Sequence, residues 1–202
     1  MHDDAQRRRT DGPPDAVIIA AVLAGNAEQF GALVTRYQRA LFRHAVTMVL
    51  DHDVAADMVQ DAFIRAYRHL AECRDPSRFR NWLFQTLRHR CLDHLKEPRR
   101  QHVRLDQADD VPEDVGGAAG SAERTELRGD IERALAQLSA EQREAFVLHY
   151  VDGMPYDAMA EILDVSISAL KMRTLRARDA MAALLRARVT HAANVSSLYR
   201  VR

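Results

Sequence analysis

Between residues 28 and 50 the apolar positions Phe30, Leu33, Val34, Tyr37, Leu41, Ala45 and Val49 return every three or four residues. That period predicts a helix with one buried face. Val59, Phe63, Ala66, Tyr67 and Leu70 repeat it over 54–70, and Leu83, Leu87 and Cys91 repeat it over about 80–95, before Pro98 stops the helix. A shorter apolar run, "AVIIAAVLAG", follows Asp15, which fits an N-cap, and ends at Gly25. Four helices therefore make a first domain, residues 15–100. Residues 1–14, ending in Gly12-Pro13-Pro14, read as disordered.

Periodicity stops in "QADDVPEDVGGAAGSAER", so residues 101–124 read as a flexible acidic linker. Its extended reach is about 60 Å at about 3.3 Å per residue. A second domain, residues 125–186, opens with the helical "ELRGDIERALAQL". Ser139 and Gln142 then form a capping box for a helix through Tyr150. Asp152-Gly153 predicts a turn, and Pro155 suits the first turn of "YDAMAEIL". Asp164-Val165 makes a second turn, and Ser166 is an N-cap for a long helix from Ile167 towards Arg186. Two helices joined by a short turn, the second rich in Lys and Arg, form a helix-turn-helix pattern. The fold class is all-α: two helical domains joined by a flexible linker. Residues 187–202 form a tail without an assigned role.

Composition changes this picture little. Apolar residues make up 47% and aromatics 6%, which favours small helical bundles over a large β-core. No stretch reaches the ~18 apolar residues of a membrane span, and the first residues lack a signal-peptide core, so a cytoplasmic protein is expected. Lys+Arg and Asp+Glu both total 29. The charges are segregated, however: bases dominate 65–104 and 171–188, and acids dominate 106–126. Because salt confines charge effects to roughly 10 Å, each basic patch can still meet phosphate. Cys73 and Cys91 are the only cysteines. Without Cys-x-x-Cys or paired metal spacing they read as half-buried small residues, and no metal or cofactor is expected. Glycine-rich phosphate loops, Gly-x-Ser-x-Gly and His-Glu-x-x-His are all absent from the sequence, so no enzyme is expected.

Three segments carry candidate function. In the last helix Ile167, Leu170, Thr174, Ala177, Met181 and Leu184 would pack inward. Ser168, Lys171, Met172, Leu175, Arg176 and Asp179 turn outward, with Arg173 and Arg178 at the margins. Lys and Arg there could bond guanine in a major groove, whereas a solvated bundle helix is the bland alternative. In the third helix Asp57, Gln60, Asp61 and Ile64 share a face. Acids four residues apart repel, so either Arg65 offsets Asp61 or a basic partner docks there. In "RDPSRFRNWLFQTLRHRCLDHLKEPRR", Asn81, Gln85, Arg88 and His89 line one side, with Lys96, Arg99 and Arg100 beyond. Phe79 and Trp82 could stack on unpaired bases, or could simply join Phe84, Leu83 and Leu87 in the core.

The order "AVLAGNAEQFGALVTRYQRALFRHA", "DHDVAADMVQDAFIRAYRHL", "FRNWLFQTLRHRCLDHLKEPRR", linker, "LSAEQREAFVLHYVDGMPYDAMAEILDVSISALKMRTLRARDAM" resembles the extracytoplasmic-function group of bacterial sigma-70-type sigma factors, from about Asp15 to Leu185. The resemblance implies a sigma region 2 bundle and a region 4 helix-turn-helix. It implies that Asp57, Gln60, Asp61 and Ile64 dock on the clamp helices of the largest RNA polymerase subunit, and that region 4 meets the flap of the second-largest. It assigns the promoter −10 element to Ser77, Arg78, Phe79, Arg80, Asn81, Trp82, Gln85, Arg88, His89, Arg99 and Arg100. It assigns the −35 element to Ser166, Ser168, Ala169, Lys171, Met172, Arg173, Arg176 and Arg178. Promoter DNA and an anti-sigma factor are the other implied partners, without membrane insertion.

Several positions depart from the family pattern: His89 stands where Asn is usual, Asp164 replaces the turn Gly, and Pro155 replaces Ser or Thr. Thr174-Leu175 reverses the usual apolar–polar order, and Met172 replaces a small polar residue. The alternative reading of the residues is a free-standing helix-turn-helix regulator with an N-terminal sensing or dimerisation bundle. A DNA-independent adaptor is a third, and it leaves both basic faces unexplained.

Overall fold

The helical periodicities are realised in a computed structural model that describes residues 12–96 and 121–199, the side chains of 121–126, 128 and 187–199 excepted. Arg99, Arg100 and most of the expected linker lie outside the described residues. Eight α-helices are described: α1 Asp15–Leu23, α2 Phe30–Val49, α3 His52–Arg68, α4 Phe79–Lys96, α5 Ser121–Ala136, α6 Ala140–Phe146, α7 Tyr156–Leu163 and α8 Ile167–Tyr199. Among the described residues there is no strand.

Local chemistry sets most boundaries. The Asp51 carboxylate accepts from Val54 N at 2.9 Å and starts α3. Ser139 and Gln142 bond reciprocally in a capping box and start α6, and Ser166 Oγ accepts from Ala169 N at 3.3 Å at the head of α8. Asp164, which stands in place of the turn Gly, takes the left-handed turn conformation, φ 55°.

Four expectations need correction. Pro14, not Asp15, precedes α1, and Asp15 makes no cap bond. Its carboxylate instead accepts from Arg36 and Tyr37, pinning α1 to α2. Pro155 caps α7 from an extended conformation rather than sitting in its first turn. Helix α5 begins at Ser121, ahead of Thr125, because "SAERTEL" follows the last glycine of the segment and is rich in the helix formers Ala, Glu, Arg and Leu. After α6 the chain widens into a π-helical turn, Val147–Val151, rather than staying α-helical to Tyr150. The widened turn ends with Met154 N donating to Leu148 O at 2.8 Å.

The two helical regions share one core. Phe79, Phe84, Leu33, Leu41, Leu83 and Leu87 of the first region are fully buried, as are Leu148, Met154 and Met159 of the second, and all belong to one contiguous cluster. Each such side chain contributes roughly 1.5–3 kcal/mol when fully removed from water. A smaller cluster, Ala134, Leu138, Ala177 and Met181, ties α5 to α8.

Candidate nucleic-acid interface

Helix α8 is held by its inner face. Leu170, Thr174, Ala177 and Met181 are buried as the period predicts, whereas Ile167 is exposed. Thr174 is polar yet satisfied: its hydroxyl lies 3.0 Å from Leu170 O and 2.9 Å from the Tyr156 hydroxyl of α7. The reversed Thr174-Leu175 order thus replaces an apolar contact between the two helices with a hydrogen bond, and it leaves Leu175 outside. Ser166, Ser168, Lys171, Met172, Arg176 and Arg178 are exposed, and Ala169 and Arg173 are half-buried. Arg173 is drawn to Glu141 of α6 at 3.1 Å, and the Lys171 ammonium sits over the Tyr156 ring. Met172 is 48% exposed, so this surface carries apolar as well as cationic groups.

On α4 and the turn before it, the expected −10 residues divide. Phe79 is fully buried. It packs against Trp82 and Tyr37 and so serves the core, a correction to the base-facing expectation. Trp82 is half-buried. With Thr86 and His89 it lines an open pocket of about 240 Å³, completed by Arg65, His69 and Glu72. Ser77 donates to the Asp75 carboxylate at 2.6 Å. The remaining described residues point at the second region. Arg78 and Asn81 donate to the Glu161 carboxylate, Asn81 at 2.9 Å. Gln85 donates to Glu161 O at 2.8 Å, and Arg80 to Asp152 O at 3.3 Å. Arg88 donates to Glu144 at 3.2 Å.

On α3, Asp57, Gln60 and Ile64 are exposed and Asp61 is half-buried. The strain between Asp57 and Asp61 is relieved by Arg90 of α4, 2.9 Å from Asp61, rather than by Arg65. Periodicity could not show this, because Arg90 comes from another helix. Asp57, Gln60 and Ile64 stay open to solvent.

Sequence reasoning missed the residues between the two regions. Arg143, 5% exposed, donates to Thr47 O at 2.7 Å. Burial lowers its pKa. Asp152 is buried against Arg43. His44 is fully buried, 3.5 Å from Glu144 and packed against the Phe84 ring. Burial, seconded by the Arg88 charge, pushes its imidazole down to about 3, so the ring is neutral. Burial raises the Glu144 carboxyl, and Arg88 opposes that rise. One signal was available: Arg143 and Glu144 precede Val147 and Leu148 at inward helical spacing. Cys91 is buried and Cys73 half-buried; burial, then Glu144, pushes the Cys91 thiol up to about 12. Among the described residues no three His, Cys, Asp or Glu gather as metal donors. No helix among them is long and apolar enough to cross a membrane.

Comparison with known proteins gives this geometry its class. Residues 33–101 match the Sigma-70 region 2 family model, and residues 128–181 match Sigma-70, region 4. The chain is 30% identical to the ECF RNA polymerase sigma-E factor of Escherichia coli K12 over 178 residues, 83% of this chain and 92% of that one. It is 27% identical to the RNA polymerase sigma-H factor of Pseudomonas aeruginosa over 176 residues, 83% and 91% of the two chains. Among solved structures it is similar to CnrH in complex with the cytosolic domain of CnrY, with TM-score 0.64 and 29% identity over 87% of this chain and 99% of that one. It is also similar to the sigma factor RpoE bound to the anti-sigma factor NepR from Bartonella quintana, with TM-score 0.65 and 27% identity over 79% and 98%. The fold is that of a sigma-70-type protein. Within that class, the chain belongs to the extracytoplasmic-function sigma factors.

Proposed function

We propose that the chain is the promoter-specificity subunit of a bacterial RNA polymerase. The observation that carries this is the pose of α8. Four inward residues lock it against its neighbours, while Lys171, Met172 and Arg176 face outward from a helix whose N-terminal part a helix-turn-helix sends into a major groove. This surface reads the −35 element. On the other region, Asn81, Gln85 and Arg88 meet the −10 element, and the half-buried Trp82 lines an open pocket where an unpaired base can stack. Asp57, Gln60 and Ile64, exposed on α3 beside Asp61, dock on basic helices of the polymerase clamp, and region 4 meets the flap. The solved relatives bound to a cytosolic CnrY domain and to NepR support an anti-sigma partner for this chain too. Near-zero net charge gives the isolated chain weak duplex affinity, so polymerase core supplies the remainder. Run-off transcription of genomic DNA with core polymerase tests the reading. Core-dependent start sites are expected, and their absence overturns it.

A further inference from the structure

Three side chains meet on Tyr156, the first residue of α7. Its hydroxyl bonds to the buried Thr174 of α8 at 2.9 Å. The His149 ring stacks on its ring, with centroids 4.3 Å apart and planes 25° from parallel. The Lys171 ammonium lies over the same ring, 5.9 Å from its centre. His149 is itself held: its Nδ1 donates to Met154 O at 3.1 Å, and Tyr150 meets it edge-on at 4.9 Å. Both tethers belong to the π-helical turn Val147–Val151 and its exit, and turns of this rare kind recur at functional sites. A tyrosine fixed at its hydroxyl and on its face has one bearing. Of its three partners only Lys171 is exposed. A solvated lysine gives up rotamer freedom when it binds, and one already resting on a ring gives up less. The Thr174-Leu175 order matters here, because an apolar residue at 174 would offer Tyr156 no hydroxyl.

We propose that Tyr156 is a positioning residue for −35 reading: it sets the bearing of Lys171, so that the ammonium meets one base pair of the element already ordered. The proposal rests on the −35 assignment made above. Lys171 leaves α8 from the N-terminal part that a helix-turn-helix sends into the major groove, and the ring beside it decides which way the ammonium points. Contacts between a cation and a ring are weak at exposed sites. The effect is therefore a sharper preference at one base pair, carried through Lys171, rather than a gain in binding as a whole.

Holoenzyme made from the full chain and core polymerase tests this, against promoter duplexes altered at one −35 base pair at a time. Lys171→Ala is expected to flatten the preference at one base pair. Tyr156→Leu should flatten the preference at that same base pair and weaken binding to the unaltered duplex about threefold. The double variant should bind no more weakly than Lys171→Ala alone. Tyr156→Phe gives up the Thr174 bond but keeps the ring on His149, so it should stay within about twofold of the unmodified chain. A merely structural role gives a different pattern: weakening at every base pair alike, with the Phe variant impaired as well. Pentafluorophenylalanine at position 156 is the second arm, because it keeps the outline of the ring where Leu disturbs folding. It reverses the ring quadrupole, so binding should fall about threefold relative to Tyr156→Phe, and only while Lys171 is present. Equal binding by the two rings, independent losses in the double variant, or uniform weakening overturns the proposal. If Lys171→Ala alters no base preference, the −35 assignment falls together with it. Failure of the unmodified chain to initiate with core would instead overturn the sigma reading itself.

Discussion

The Tyr156 and Thr174 hydroxyls lie 2.9 Å apart and bond α7 to α8 from within their contact. Thr174 can accept from Tyr156 while giving its own proton to Leu170 O or Lys171 O, both at 3.0 Å. The helix-turn-helix therefore holds its angle partly by a polar clasp. Tyr156→Phe and Thr174→Val should each cost ~1 kcal/mol in urea denaturation. Because each removes the same bond, the double variant should cost less than the sum, with a coupling of ~0.5–1 kcal/mol. Strict additivity would show that the clasp carries no energy.

Replacing Lys171 and Arg173 together by Ala should impair initiation at −35-dependent promoters while polymerase core binding persists. The two contribute unequally. Arg173 is partly engaged with Glu141, so Lys171→Ala alone should account for most of the lost duplex affinity, roughly 1–3 kcal/mol. Loss of core binding by the double variant, measured by pull-down, would move the polymerase interface to this helix.

Met172 and Leu175, 48% and 38% exposed, give the proposed −35 surface an apolar strip. Apolar side chains in a major groove meet thymine methyl groups. Deoxyuridine in place of thymine in the −35 element should weaken holoenzyme binding several-fold, by about 1 kcal/mol. Met172→Ala should bind both duplexes alike. A persistent thymine preference in that variant would place the reader elsewhere.

Buried His44 makes stability depend on pH. Its folded value of about 3 lies below the ordinary 6.5, so its stabilisation is complete above 6.5 and is lost as pH falls below it. Glu144, raised by burial, acts oppositely: it favours the fold below the ordinary carboxyl range and loses that contribution as pH rises. Around the ring, Arg88 opposes the imidazolium and Glu144 favours it. From pH 6.5 to 5 the histidine should remove roughly 1 kcal/mol per unit. His44→Leu should flatten that slope in denaturant titrations. It should also stabilise the chain at pH 7.5 by ~1 kcal/mol, because both ring nitrogens are buried without hydrogen-bond partners. An unchanged slope would assign the pH dependence to another group.

Helix existence, caps and inward faces were legible wherever the physics is local. Leu33, Leu41, Ala66, Leu87, Leu170 and Ala177 are buried where a period near 3.6 places them. Asp164 turns the chain left-handed and Ser166 caps α8, because each acts through its own side chain and nearest backbone. The exposed stripes of α3 and α8 were legible for the same reason: a helix that buries one stripe must expose the other.

What the sequence could not determine was which stripes stay exposed once helices from different regions meet. Arg78, Asn81, Gln85 and Arg88 are polar and periodic, and nothing local distinguishes a solvent-facing row from one bonded to Glu161 and Glu144, some 56–83 positions away. Phe79 looked like a base-stacking aromatic at a loop–helix junction, yet the surrounding core takes it whole. Arg90 rather than Arg65 relieves Asp61, and Arg143 is buried because Thr47 O awaits it. Local propensity and periodicity determined the helices and their two faces. Only tertiary structure decided which partner each polar face meets, because hydrogen bonds and ion pairs between distant residues depend on packing that no single segment encodes.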